Sequence, residues 1–152
     1  MLCDRFMEGA AEAGHKVEKI RLDEIRMSFL SIDSPNESDD ATELVEKMIA
    51  ADVIVMATPV YYYAMSGQMK TLIDRTFEKH REISDKEFYF IIAGADKDEQ
   101  SFLPVVLEFR GFLQALKNPT EKGIIYATGV FAKGAVEGAP AMNEAYEMGK
   151  SI

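Results

Sequence analysis

Three consecutive tyrosines, Tyr61, Tyr62 and Tyr63, stand just beyond an unbroken apolar run, Val53 to Ala57. Such a run, without alternation, reads as a strand covered on both faces. Thr58 and Pro59 end it, because proline brings no N–H to the next ladder bond. A helical pattern starts near Ser66. Strand, aromatic turn and helix in that order place flat rings at the carboxyl end of a buried strand, where open α/β sheets hold their ligands. Rings so placed can stack on a flat partner, and their hydroxyls can bond to its polar edge. The same residues also suit a buried strand whose tyrosines only pack a loop, and the local pattern alone leaves both readings open. A second strand-end turn, Gly94-Ala95-Asp96, follows the apolar run Phe88 to Ala93.

Few other residues offer chemistry. Cys3 is the only cysteine, which rules out an intramolecular disulfide and a one-chain thiolate cluster for zinc or iron–sulfur. There are two histidines, His15 and His80. His15 follows Gly14 at an expected helix end, where the ring caps carbonyls, and a structural role is the expectation for both. No metal site is expected. Lys70 and Arg75 could attract a phosphate group, but a solvated helix face is the expected reading.

The elements that must position the tyrosines follow from periodicity. Leu2, Phe6 and Ala10 predict a helix over residues 2–13, stopped at Gly14. Val17, Ile20 and Leu22 predict a short strand. Residues 26–39 carry Ser28, Ser31, Ser34, Pro35, Asn36 and Ser38 and read as a loop, although Met27, Phe29, Leu30 and Ile32 are apolar for one. Asp40 and Glu43 form a capping pair ahead of a stripe of Leu44, Val45, Met48 and Ile49. The acids Asp33, Glu37, Asp39, Asp40, Glu43 and Glu46 read as a solvated face at a helix start. Ser66 is the expected N-cap of a helix whose inward face is Met69, Leu72, Ile73 and Phe77, with Lys70, Asp74 and Arg75 on other faces. A helix over 102–116 accommodates Pro104 only in its first turn. Residues 123–128 read as another strand and 140–148 as a terminal helix. Helices and strands alternate throughout, which predicts an α/β fold with a parallel sheet and helices on both faces.

The 152 residues fit one domain, 1–152. A net charge of −9 argues against general affinity for nucleic acid or anionic lipid. No apolar run reaches membrane-span length, and the N-terminus lacks a signal peptide's apolar stretch, so no membrane partner and a cytoplasmic location are expected.

The stretch Thr58-Pro59-Val60-Tyr61-Tyr62-Tyr63-Ala64-Met65-Ser66-Gly67-Gln68-Met69-Lys70-Thr71-Leu72-Ile73-Asp74-Arg75 resembles the signature of the flavodoxin-like NAD(P)H-dependent oxidoreductases, the NADPH-dependent FMN reductase family. Residues 50–55, 87–91 and 122–129 are similar as well. The resemblance implies a flavodoxin-like three-layer αβα sandwich with a parallel sheet. It implies FMN at the sheet's carboxyl edge, with Thr58, Pro59, Val60, Tyr61, Tyr62 and Tyr63 along the isoalloxazine ring. Gly94, Ala95 and Asp96 would close the other side. Family members begin with an apolar strand and a Gly/Ser/Thr-rich loop that holds the FMN phosphate. This sequence begins inside the first helix, so the first strand and the phosphate loop are expected to be missing. The stretch 25–40 has none of the cysteines of the iron–sulfur flavoproteins, which sets that branch aside.

The activity so implied is hydride transfer from NAD(P)H through bound FMN to a quinone, a flavin or another small acceptor. The cofactor carries the chemistry, so no catalytic side chain is expected. The resemblance also implies a homodimer. Two alternatives stand beside it. One is a flavodoxin-type electron carrier, which the acidic charge suits. The other is a truncated, non-catalytic flavodoxin-like protein that binds or assembles with little affinity for FMN.

Overall fold

The computed structural model describes residues 1–31, 39–132 and 134–152. Among these residues three parallel strands form one sheet in the order β1-β2-β3: β1 (Val53–Pro59), β2 (Glu87–Ala93) and β3 (Thr120–Ala127). Val53 pairs with Glu87 and Pro59 with Ala93, while Phe90 pairs with Ile124. β2 is central and apolar on both faces, and its residues 88–92 are all buried. In β1, Ile54, Met56 and Thr58 are buried while Val53, Val55 and Ala57 are half-buried, so the expected full cover on both faces is met by β2 and only half met by β1.

Among the described residues five α-helices pack the sheet: α1 (Leu2–Glu12), α2 (Ala41–Ala50), α3 (Gly67–Arg75), α4 (Leu103–Ala115) and α5 (Pro140–Lys150). The pleat divides β2 between two cores. Phe88, Phe90 and Ile92 join Leu44, Met48, Met69, Leu72, Val105 and Phe109 from α2, α3 and α4. Tyr89 and Ile91 join Leu2, Phe6, Ala141 and Ala145 from α1 and α5. The rings of Phe90 and Phe109 stack at 4.4 Å, and Phe6 meets Tyr89 edge-on at 5.2 Å. Each such fully buried large side chain contributes roughly 1.5–3 kcal/mol.

Several expectations need correction. Residues 17–22 form no strand. Ile20 and Leu22 do pack against the larger core, but a strand needs a ladder partner, and among the described residues none pairs with them. Pro59 lies inside β1 rather than beyond it. The backbone groups of Asp52 and Val60 bond to β2, so by the strand's period of two Pro59 turns its nitrogen toward the other edge, which no strand among the described residues pairs. Asp40 does not cap α2 with its side chain. Its carboxylate accepts from the Arg26 N–H at 2.7 Å, and Asp39 accepts from the Ala41 N–H instead. Phe77 lies past the end of α3 and is exposed. β3 starts three residues earlier than 123. Ile32, Asp33, Ser34, Pro35, Asn36, Glu37 and Ser38, with the loop and acidic-face expectations placed on them, fall outside the described residues. Gly14 stops α1 at a φ of 98°, as expected, and Pro104 sits in the first turn of α4. Among the described residues no helix is long and apolar enough to cross a membrane.

Candidate functional site

The carboxyl ends of β1 and β2 are neighbours, and their turns meet. The Val60 N–H donates to the Ala93 carbonyl at 2.8 Å. Gly94 lies so close to its surroundings that a Cβ there would stand 2.9 Å from the Phe102 ring and 3.2 Å from the Val60 Cβ. A glycine is required at that approach. The third strand end is tied to the same turn: the Gly129 N–H donates to the Asp96 carbonyl and the Val130 N–H to the Gly94 carbonyl.

The tyrosines form a tight reversal. Tyr61 N–H donates to the Ala64 carbonyl and Ala64 N–H to the Tyr61 carbonyl, both at 3.0 Å. The two residues between them, Tyr62 and Tyr63, have φ values of 50° and 63°. Positive φ at both central positions is the mark of a type I′ turn, which favours Asn-Gly. Side chains with a Cβ make it strained, at about 1–2 kcal/mol per residue. The rings are not spent on packing: Tyr61, Tyr62 and Tyr63 are 61%, 100% and 62% exposed. The result is an open aromatic platform at the rim of the sheet.

Buried polar groups support this turn from below. Thr58, only 3% exposed, accepts the Ser66 N–H at 2.9 Å through its hydroxyl. The same hydroxyl donates to the Pro59 carbonyl. Ser66 caps α3 by accepting from the Met69 N–H, as its position predicts. Glu108 of α4 accepts the Met65 N–H at 2.8 Å. Glu108 escaped the sequence reading, because it lies 43 residues from its partner and on an exposed helix position.

Asp96 uses its carboxylate within its own loop, accepting from the Asp98 N–H and the Ser101 hydroxyl, which hold its carboxyl below the usual range. The structure thus brings Val60 and Gly94 together at one rim. It also makes Thr58 an internal support rather than an outward-facing group.

Arg75 does not lie on a solvated face. Its side chain is 2% exposed and grips Asp39, 4% exposed, through Nη1 and Nη2 at 2.6 and 3.0 Å. Arg75 also donates to the Ser28 carbonyl and hydroxyl. The guanidinium, with the Ser28 and Ala41 N–H groups, holds the Asp39 carboxyl far below its ordinary value. Lys70 is solvated and pairs with Asp74 along its own helix. His15 bonds to the Ile152 backbone oxygen and His80 to the Phe77 carbonyl.

The family model for NADPH-dependent FMN reductase matches residues 1–111. Over 80 residues the chain is 30% identical to YwqN of Bacillus subtilis, described as an NAD(P)H-dependent FMN-containing oxidoreductase, covering 47% of this chain and 44% of that protein. Over 110 residues it is 26% identical to an iron–sulfur flavoprotein of Archaeoglobus fulgidus, covering 65% and 50%. The chain therefore spans about half the length of the curated relatives it matches. In structure it superimposes on the Trp repressor binding protein from Bacillus subtilis with a TM-score of 0.70 at 22% identity, covering 97% of this chain and 88% of that one. The fold is flavodoxin-like. Against the expectation drawn from residues 25–40, sequence similarity to the iron–sulfur flavoproteins is present, while the one cysteine of this sequence, Cys3, cannot by itself supply a cluster's ligands.

Proposed function

The chain belongs to the NADPH-dependent FMN reductase family, and on that premise we propose that it is an FMN-dependent NAD(P)H oxidoreductase acting on a small electron acceptor. The observation that carries this reading is the platform itself. Three exposed tyrosine rings are held on a strained left-handed turn at the carboxyl end of β1, beside the close-packed Gly94 turn of β2. Such rings suit one face of an isoalloxazine, Val60 would line it with them, and the turn Gly94-Ala95-Asp96 would close its other side. Thr58 and Pro59 set the height and direction of the turn. Bound FMN would supply hydride and electron transfer between NAD(P)H and the acceptor. The chain's own part would be to hold and orient the ring. A homodimer belongs to this reading through the family alone.

Titration of the chain with FMN tests the proposal. Saturable quenching of flavin fluorescence is expected, and Tyr62→Ala and Tyr63→Ala should each weaken binding by about tenfold, the worth of one aromatic contact. Unchanged affinity in both variants would remove the platform from the flavin site, and no uptake by the unaltered chain would remove the flavin. A second reading, a flavodoxin-type electron carrier, is favoured by the charge of −9. Consumption of NADPH by the FMN-loaded chain without a partner reductase separates the enzyme from the carrier.

A further inference from the structure

We propose that Glu108 of α4 is the positioning residue of the tyrosine turn, holding Tyr61, Tyr62 and Tyr63 in the geometry that presents their rings; the proposal rests on the flavin reading above. The turn's two internal hydrogen bonds close the reversal between Tyr61 and Ala64. They do not fix the chain that leaves it. Met65 is buried, and a buried N–H without an acceptor is costly. The Glu108 carboxylate supplies that acceptor at 2.8 Å, and the next N–H, of Ser66, is taken by Thr58 at 2.9 Å. Two successive peptide groups are thus clamped by side chains from different elements. Tyr62 and Tyr63 cannot relax from positive φ unless the peptides flanking them rotate, and the clamp sets the downstream end of that rotation.

The origin of Glu108 gives the clamp a second consequence. α4 follows the Gly94 turn through the short helical turn Glu99–Phe102, and Phe102 packs on Gly94. Glu108 therefore ties the turn of β1 to the element that continues from the turn of β2. Beside the direct Val60–Ala93 hydrogen bond, the Glu108 carboxylate is a second tie between the two walls of the candidate site, and it belongs to neither wall. Its action on a ligand is indirect.

The test uses the full chain with Glu108→Ala and Glu108→Gln. The amide oxygen of Gln still accepts a hydrogen bond, so this variant should stay close to the unaltered affinity for FMN. Ala should weaken FMN about tenfold, the worth of one charge-assisted hydrogen bond. The position is exposed on a helix, so Ala itself favours folding; should that variant not fold, Glu108→Ser, too short to reach Met65, replaces it. Hydrogen exchange of the Met65 amide is the readout that a general loss of stability would not single out. It should quicken in Ala and stay slow in Gln while core amides of β2 keep their protection. Equal Met65 exchange in all three proteins, or FMN affinity unchanged in Ala while the parent chain binds FMN, would overturn the proposal. If the parent chain takes up no FMN, the flavin reading fails by itself, and Met65 exchange still decides the role of Glu108.

Discussion

The α1–α5 crossing and the β1–α3 unit both bring backbone into close quarters, and they do so by opposite means. At the crossing, glycines let the helices touch. A Cβ on Gly9 would stand 2.1 Å from the Tyr146 carbonyl oxygen, and one on Gly149 would stand 2.0 Å from that of Phe6. Polar groups sit only at the margin, where the Tyr146 hydroxyl donates to Glu12 at 2.5 Å. Along β1 and α3, by contrast, side-chain oxygens do the holding: Thr58 on Ser66, Glu108 on Met65, Ser66 on Met69, and Asp39 on Arg75. The first region permits nothing larger and presents no chemistry. The second carries two left-handed tyrosines and three solvent-facing rings. Backbone strain persists only where its surroundings over-determine it, and such places gather at functional sites. The contrast assigns close backbone packing to one side of the sheet and presentation to one end of it.

The sharpest way to break this contrast is at Arg75. Arg75→Ala leaves the Asp39 carboxylate buried without its partner and should cost about 3–5 kcal/mol, read as a lowered urea midpoint. The same pair sets a pH response. The Asp39 carboxyl is held far below its ordinary value, chiefly by its hydrogen bond from Arg75. Its contribution is therefore complete above the ordinary aspartate range and is lost as pH falls through the folded value. Stability should drop below about pH 4, and Asp39→Asn should flatten that slope in urea titrations at stepped pH.

Next in size is Gly149→Ala, whose new methyl meets the Phe6 carbonyl. Overpacking against rigid backbone should cost about 2–3 kcal/mol, without changing any flavin affinity. Thr58→Val keeps the shape but orphans the buried Ser66 N–H, at about 1–2 kcal/mol. Unlike the glycine change, it should also disturb the platform, visible as altered quenching of tyrosine fluorescence by acrylamide. The smallest effect has the opposite sign. Tyr62→Gly relieves one left-handed residue and should stabilise the chain by about 1 kcal/mol while removing a ring. A destabilised Tyr62→Gly would mean that the turn stores no strain.

Much of the scaffold was legible from local rules. Gly14 ended α1, Ser66 capped α3, Pro104 opened α4 and the apolar run at 88–93 became the central strand. These are decisions made within a few residues. What escaped depends on distant or missing partners. The Arg75–Asp39 pair spans 36 residues and the Glu108–Met65 bond 43, and no spacing rule reaches so far. Residues 17–22 had strand composition, but a strand needs a neighbour to bond. Tyr62 and Tyr63 were expected on a turn, yet neither is Gly or Asn, so their left-handed backbone could not be read from residue type. The turn was therefore visible, while the side chains that hold it were not.

Pro59 has one more effect. Along the side of β1 that no strand among the described residues pairs, the N–H groups belong to the odd-numbered residues, and the sequence of donors ends at Ala57. Any extended segment that lay down on that border could receive donors from Val53, Val55 and Ala57 but none from Pro59. Its zipper would run short one rung before the tyrosines. The proline is in this sense a buffer stop, which keeps sheet growth from creeping over the place where the rings meet solvent.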